Sequence, residues 1–124
     1  MTARQEILVF GCSADDVELL THAVERMEPA LRVVDDPEEF ARHAVSRRPL
    51  AVVLGVGRDT LAHLDMIPLI RAVRRDLPVI LIAKDASLEL ERRARQHKIF
   101  YYLVHPIERT EVKAVVNDLL RSRK

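Results

Sequence analysis

The chain has 124 residues, of which 48% are hydrophobic and 31% charged, and its formal net charge is +1. This length predicts one domain, residues 1–124, with one core, and the balanced charge is not that of a strongly basic nucleic-acid-binding domain. No apolar run approaches the roughly 20 residues that span a bilayer, and the single cysteine, Cys12, excludes an internal disulfide framework. We therefore expect a cytoplasmic protein with no nucleic-acid or membrane partner.

Five short apolar segments predict β-strands. They are Ile7–Phe10, Leu31–Val34, Leu50–Leu54, Val79–Ala83 and Ile99–Val104. The third and fourth segments are apolar at every position, which is typical of strands that are covered on both faces of a parallel sheet.

The segments between these strands have helical periodicity. Ser13, with Asp16 three residues later, predicts the start of the first helix. Asp36 predicts the N-cap of the second and Asp65 the N-cap of the third. The fourth and fifth helices are predicted over Leu88–His97 and Glu108–Arg121. One face of the first helix carries Val17, Leu20, Val24 and Met27, and the buried face of the second is expected to comprise Phe40, Ala41, Ala44 and Val45. The third helix is marked by Leu69, Ile70 and Val73, and the residues expected to face inward from the fifth are Val112, Val115, Val116 and Leu119.

Strand and helix alternate five times, which predicts an α/β fold with a five-stranded parallel sheet and helices on both faces. Ligands of such sheets bind beyond the carboxyl ends of the strands. The residues at those ends are Gly11 and Cys12, Gly55, Ala83, and His105.

Four segments resemble the CheY-like receiver domain of two-component response regulators. They are "ILVFGCSADDVELL" (Ile7–Leu20), "RPLAVVLG" (Arg48–Gly55), "LPVILIAK" (Leu77–Lys84) and "YYLVHP" (Tyr101–Pro106), and the resemblance covers nearly the whole chain. It implies a three-layer (β/α)5, flavodoxin-like fold and a role in bacterial phosphorelay signalling. In that family an acidic pair after the first strand holds Mg²⁺, an aspartate ending the third accepts the phosphoryl group, and a hydroxyl and a lysine bind its oxygens.

Each of these family roles falls on a residue that cannot perform it. The acidic pair falls on Gly11 and Cys12, and the phosphoacceptor falls on Gly55. The hydroxyl falls on Ala83 and the lysine on His105. Glycine and a thiol offer none of the carboxylate oxygens that Mg²⁺ prefers. The resemblance therefore implies a pseudo-receiver with a vestigial phosphorylation pocket and no catalytic residues.

Other residues leave two alternatives open. Asp15, Asp16 or Asp59 could make the chain a divergent but still phosphorylatable receiver, although helix capping or solvation is expected for these side chains. The emptied pocket around Cys12, Gly55 and His105 could instead serve a small-ligand or redox sensor. The histidines show no metal-ligand spacing, so no metal or cofactor is predicted. The basic runs at residues 71–76 and 91–98 are expected to be solvated helix faces.

The resemblance also implies a switch and a partner face. The family's switch aromatic falls on Tyr102, whose expected hydroxyl partner is Ala83, so we expect a switch that phosphate does not move. The usual signalling surface comprises the fourth helix, fifth strand and fifth helix. Here it would present Glu89, Arg92, Arg93, Tyr101, Lys113 and Asp118, together with Arg95 and Gln96. This surface suits a signalling kinase, an output domain or a second copy in a homodimer.

Overall fold

Strand β1 (Glu6–Phe10) and helix α1 (Ala14–Val24) begin a β–α alternation that continues through residues 5–122, the part of the chain that this computed structural model describes. The further elements are β2 (Ala30–Val34), α2 (Pro37–Ser46), β3 (Ala51–Val56), a 3-10 helix η1 (Arg58–Asp65), α3 (Met66–Val73), β4 (Val79–Ala83), α4 (Leu88–Ala94), β5 (Tyr101–Val104) and α5 (Arg109–Ser122).

The five strands form one parallel sheet in the order β2-β1-β3-β4-β5. Phe10 lies beside Leu54 in the register, and Ala83 lies beside Val104. The predicted α/β fold is confirmed. Because all strands run the same way, the carboxyl ends of β1, β3, β4 and β5 meet at one edge of the sheet.

Helices cover both faces of the sheet and make three layers. Side chains of α1 and α5, among them Leu20 and Val116, pack in one buried cluster with Ile7 and Val53. Side chains of α2, α3 and α4 form the other cluster, in which Phe40 and Leu90 are fully buried. The four α5 residues predicted to face inward are all buried. Among the described residues, no helix has the length and apolarity needed to cross a membrane.

Two helix starts behave as the sequence predicts. The Ser13 hydroxyl accepts a hydrogen bond from the Asp16 N–H at 3.2 Å, and the Asp36 carboxylate accepts one from the Glu39 N–H at 3.1 Å. Asp65 differs, because its side chain makes no capping hydrogen bond. The 3-10 helix η1 runs directly into α3, so a helical turn already precedes the first residues of α3.

Three predicted apolar helix positions face solvent. Val45 is 42% exposed, Leu69 is 70% exposed and Val73 is 61% exposed. The helical period places them beside buried neighbours, but the contacts of α2 with α3 leave one stripe of each helix uncovered. Predicted and observed bounds differ by one to three residues at the ends of elements. The largest differences are that β3 extends to Val56, α4 ends at Ala94 and β5 begins at Tyr101.

Candidate functional site

The predicted pocket residues Gly11, Cys12, Gly55, Ala83 and His105 lie at the carboxyl edge of the sheet, and we call them the strand-end cluster. The His105 N–H donates to the Ala83 carbonyl at 2.9 Å, which joins the ends of β4 and β5. Gly55 is buried within β3 and lies against Gly11, which directly follows β1. The tertiary structure thus brings the ends of four strands together.

Gly11 and Gly55 are in backbone contact, and neither position has room for a side chain. A Cβ atom at Gly55 would lie 2.4 Å from the Gly11 carbonyl oxygen and 2.7 Å from its carbonyl carbon. A Cβ atom at Gly11 would lie 2.6 Å from the Gly55 oxygen, and the Gly11 φ of +82° is left-handed. The obstructing atoms are backbone, so a side chain at Gly55 requires the loop after β1 to move.

His63, on η1, covers this glycine contact. Its Nδ1 atom lies 3.1 Å from the Gly55 carbonyl oxygen, and its ring centroid is 4.9 Å from that of Phe10. A carbonyl oxygen can only accept, so Nδ1 carries the proton in this hydrogen bond. The imidazole therefore occupies the space over the end of β3.

Sequence reasoning overlooked His63. It was grouped with the other histidines because it has no metal-ligand spacing, and it lies on an irregular segment eight residues after Gly55. The signal that the sequence offers is the nine-residue segment 57–65 between β3 and α3, which has enough residues to return a side chain over the strand end.

His105 is hydrogen-bonded to Asp16. The His105 Nε2 atom lies 2.6 Å from Asp16 Oδ2. The Asp16 side chain is 6% exposed, whereas that of His105 is 35% exposed. Ser13, not Asp16, supplies the capping side chain of α1, so the capping interpretation is wrong for the Asp16 carboxylate. It holds a buried position on α1 and contacts the residue that follows β5.

Cys12 lies near Asp16 and is only partly exposed. Burial, together with the nearby Asp16 carboxylate, raises the pKa of the Cys12 thiol to about 12, and Lys84 opposes the rise. A thiol with this pKa is protonated at neutral pH, and the protonated form is a poor nucleophile. The side chain packs against the α1–α5 cluster as a small apolar group.

The remaining acidic candidates do not belong to the strand-end cluster. Asp15 is exposed in the first turn of α1, and Asp59 is exposed on η1. Asp85 bridges two loops, because its carboxylate accepts a hydrogen bond from the Arg58 N–H at 3.2 Å. Within residues 5–122 no three His, Cys, Asp or Glu side chains are grouped to hold a metal ion.

Tyr102 lies on β5, the edge strand, and packs against the cluster under α2, α3 and α4. Burial raises its pKa, the nearby Glu91 adds to the rise, and Arg95 lowers it. Its register neighbour is Leu81. The phenol is thus seated between the sheet and the charged face of α4.

The predicted partner face is solvent-accessible and rich in paired charges. Glu89 pairs with Arg93 at 3.4 Å on α4, and the Tyr101 hydroxyl donates to Asp118 Oδ2 at 2.9 Å on α5. Further exposed residues on this face are Leu88, Arg92 and Lys113. The basic run at residues 91–98 is partly neutralised within its own helix by the Glu91–Arg95 pair at 2.8 Å.

Comparison with known proteins places these features in context. No model of a known protein family matches the chain. It is 31% identical over 88 residues, 71% of its length, to the transcriptional regulatory protein PrrA of Mycobacterium leprae, of which this match covers 38%. The chain thus spans well under half of that relative.

Solved structures share the fold at lower identity. A response regulator from Burkholderia multivorans superposes with a TM-score of 0.76 at 19% identity, covering 95% of this chain and 96% of that protein. A member of a family of streptococcal redox sensors that evolved from two-component response regulators gives 0.80 at 15% identity, covering 96% and 52%. These likenesses show the fold.

Proposed function

We propose that this chain, a domain of the response regulator receiver (CheY-like) type by its fold and sequence similarity, signals through protein–protein contacts without being phosphorylated. The observation that carries the proposal is the backbone contact between Gly11 and Gly55. A Cβ atom at Gly55 would meet the Gly11 carbonyl oxygen at 2.4 Å. The position of the family's phosphoacceptor therefore has no side chain and no space for one.

The surrounding chemistry supports the same proposal. Phosphoryl transfer depends on charges that neutralise the developing charge around a positioned nucleophile. The thiol of Cys12 offers no hard oxygen ligand to Mg²⁺. The Asp16 carboxylate lies 2.6 Å from His105 Nε2 in a hydrogen bond, so it is already engaged by a neighbouring side chain.

The contacts of His63 support a fixed conformation of η1 at the strand ends. Its hydrogen bond to the Gly55 carbonyl and its contact with Phe10 hold η1 over the strand ends. Ala83 stands where the family has a residue with a hydroxyl group. Its methyl side chain has no oxygen that could connect a bound anion to the position of Tyr102. A ligand shifts an equilibrium only through different affinities for its two states. We infer that a protein partner, and not phosphate, selects the position of Tyr102.

The face formed by α4, β5 and α5 is the proposed contact surface for a signalling kinase or an output domain. Its charges are largely exposed and its apolar content is low, which suits a transient polar contact. Glu89, Arg92 and Arg93 on α4 and Lys113 and Asp118 on α5 would form this contact. Catalysis is no part of the proposal.

Treatment with acetyl phosphate and Mg²⁺, followed by intact-mass spectrometry, tests this function. We expect no phosphoryl adduct on this chain under conditions in which a receiver that has its acceptor aspartate is modified. A stoichiometric adduct would overturn the proposal, and peptide mapping would then show whether Asp15, Asp16 or Asp59 carries it. A test for the sensor alternative is thiol modification of Cys12 at neutral pH, for which we expect slow reaction.

A further inference from the structure

Helices α2 and α3 enclose a shallow apolar groove on the surface of the domain. We call it the α2–α3 groove. Ala41 and Val45 line it from α2, and Met66 and Leu69 line it from α3; its volume is about 260 Å³. Val73 lies one turn beyond Leu69 on the same helix. The residues that line the groove belong to α2 and α3, and none of them is part of the strand-end cluster or of the surface formed by α4, β5 and α5.

Two apolar side chains that line the groove, Val45 and Leu69, are exposed, and so is Val73 on the turn beyond it. Leu69, Val73 and Val45 are 70%, 61% and 42% exposed. Among the described residues they are three of the five large hydrophobic side chains that face solvent, the others being Val33 and Leu88. A contiguous exposed apolar patch on a small domain marks an interaction site more often than scattered single residues do.

The two ends of the groove carry opposite charge. Both helices follow parallel strands of the same sheet, so their N-termini lie at one end and their C-termini at the other. The N-terminal end has the exposed acids Asp36, Glu38 and Asp65. The C-terminal end has exposed bases in the segments that follow the helices, Arg48 and Arg75, against the single acid Asp76. The helix dipoles add to this difference.

We propose that the α2–α3 groove is the interface of a two-fold symmetric homodimer. A two-fold axis perpendicular to the helices, passing near Leu69, turns the second copy end for end. The acidic end of each groove then faces the basic end of the other, while Leu69, Val73 and Val45 of both copies are removed from water. A two-fold contact needs a self-complementary surface, and this charge pattern complements its own inverted image.

A second copy also fits this groove better than it fits α4, β5 and α5. The acids and bases of α4 pair within the helix, as in Glu89–Arg93 and Glu91–Arg95, and Leu88 is its one large exposed apolar side chain. Homodimer interfaces are more apolar than transient ones. The groove shares no residue with the surface formed by α4, β5 and α5, so the proposal assigns the second copy and the signalling partner to different residues.

Sedimentation velocity of the purified chain over a range of concentrations tests the proposal. We expect a monomer–dimer equilibrium with a Kd of micromolar order and at least tenfold weaker association for Leu69→Glu. Leu88→Glu is the matched control, because Leu88 is 66% exposed on α4; it should leave the equilibrium unchanged. Circular dichroism would verify folding, and Leu69→Gln gives a milder second variant.

A charge-reversal series separates the groove from other modes of association. Asp65→Arg and Arg75→Asp should each weaken the dimer, and a mixture of the two single variants should restore association through heterodimers. A wild-type chain that stays monomeric at several hundred micromolar would overturn the proposal. So would dimerisation that Leu88→Glu disrupts and Leu69→Glu does not, since that result would place the self-contact on α4.

Discussion

The Nε2 atom of His105 lies 2.6 Å from the Oδ2 atom of Asp16, which joins the end of β5 to the first turn of α1. The contact spans 89 positions of sequence, and it places a buried carboxylate against a histidine at the rim. His105 holds the position of the lysine that contacts phosphate in the family, and here its side chain is bound by Asp16 of the same chain.

Loss of this partner should destabilise the domain. His105→Ala leaves the Asp16 carboxylate, 6% exposed, without its hydrogen-bond partner, and we expect the free energy of unfolding to fall by about 1–3 kcal/mol. Urea denaturation would measure it. Asp16→Asn/His105→Ala should cost less than the sum of the single changes, because no unpaired buried charge remains. Additive effects of the two substitutions would show that Asp16 and His105 do not stabilise each other.

Gly55 should tolerate no side chain, although Gly57 two residues later should. Gly55→Ala forces backbone atoms apart, and we expect a loss of about 1–3 kcal/mol in the free energy of unfolding. Around Gly57, the nearest atoms to an added Cβ are ends of the Asp59, Asp85 and Lys84 side chains at 3.2–3.4 Å. Gly57→Ala should therefore cost less than about 0.5 kcal/mol.

The same pair of sites gives a functional check. Gly55→Asp should fail to create a phosphoacceptor, because the new carboxylate meets the Gly11 backbone, and acetyl phosphate should leave no adduct. Equal stability of Gly55→Ala and Gly57→Ala would contradict the close approach of β3 to the loop after β1.

His63 should be protonated at Nδ1. Nitrogen-15 NMR of the imidazole would assign the tautomer, and we expect the Nδ1–H signal that its hydrogen bond to Gly55 requires. His63→Asn keeps a donor near the same position, so it should be less destabilising than His63→Ala, which removes both the donor and the ring contact with Phe10. An Nε2–H tautomer with a free Nδ1 would show that the ring does not bind Gly55.

Cys12 should react slowly with alkylating reagents. With a pKa of about 12, the thiolate population at pH 8 is on the order of 1,000-fold below that of a free cysteine. Asp16→Asn should lower the pKa and speed the reaction with iodoacetamide, and Lys84→Gln should slow it. Wild-type reaction as fast as that of a free thiol would revive the redox alternative.

The raised thiol pKa also has a consequence for stability. The folded-state pKa exceeds the ordinary value of 9.0, so the folded chain retains a proton that the unfolded chain releases. This contribution is fully present below pH 9 and is lost as the pH rises toward the folded pKa. Denaturation of Cys12→Ala across pH 8–11, which should lack this component, would measure it.

Asp118 should titrate according to its contact with Tyr101. The hydrogen bond from the Tyr101 hydroxyl lowers the pKa of the Asp118 carboxyl, and the hydrogen bond from Arg121 contributes further. Because the pKa is lower in the folded chain, the ionised carboxylate contributes stability at pH values above the ordinary carboxyl pKa. That contribution is lost as the pH falls through the lowered folded-state pKa. NMR titration of Tyr101→Phe should show the Asp118 pKa rising. Tyr102→Phe is the control and should leave it unchanged.

The proposed partner face predicts loss of binding on charge reversal. Arg92→Glu/Arg93→Glu should weaken binding to the cognate signalling kinase or output domain by at least tenfold, because both side chains are exposed on α4. Calorimetry with purified partner would measure it. Arg26→Glu, also exposed but outside this face, is the control. Unchanged affinity of the double variant would refute the placement.

Strand and helix order were open to prediction because each follows from local pattern. The continuous apolar segment Val79–Ala83 predicts a buried strand without knowledge of the neighbouring strands. Ser13 and Asp36 predict the starts of the helices that they cap. The exposure of the apolar faces of α2 and α3 was harder to predict. A period of 3.6 identifies the stripe that holds Val45 and Leu69, but whether a neighbour covers it depends on how the two helices are placed.

The amino-acid sequence by itself determined the fold class, the five residues of the strand-end cluster and the absence of a side chain at Gly55. Tertiary structure alone decided what fills the space around them. His63 reaches Gly55 from an irregular segment, and Asp16 meets His105 across 89 positions. Local periodicity carries no information on such contacts, because they arise only when the packing of the whole chain brings a loop and two distant elements to one edge of the sheet.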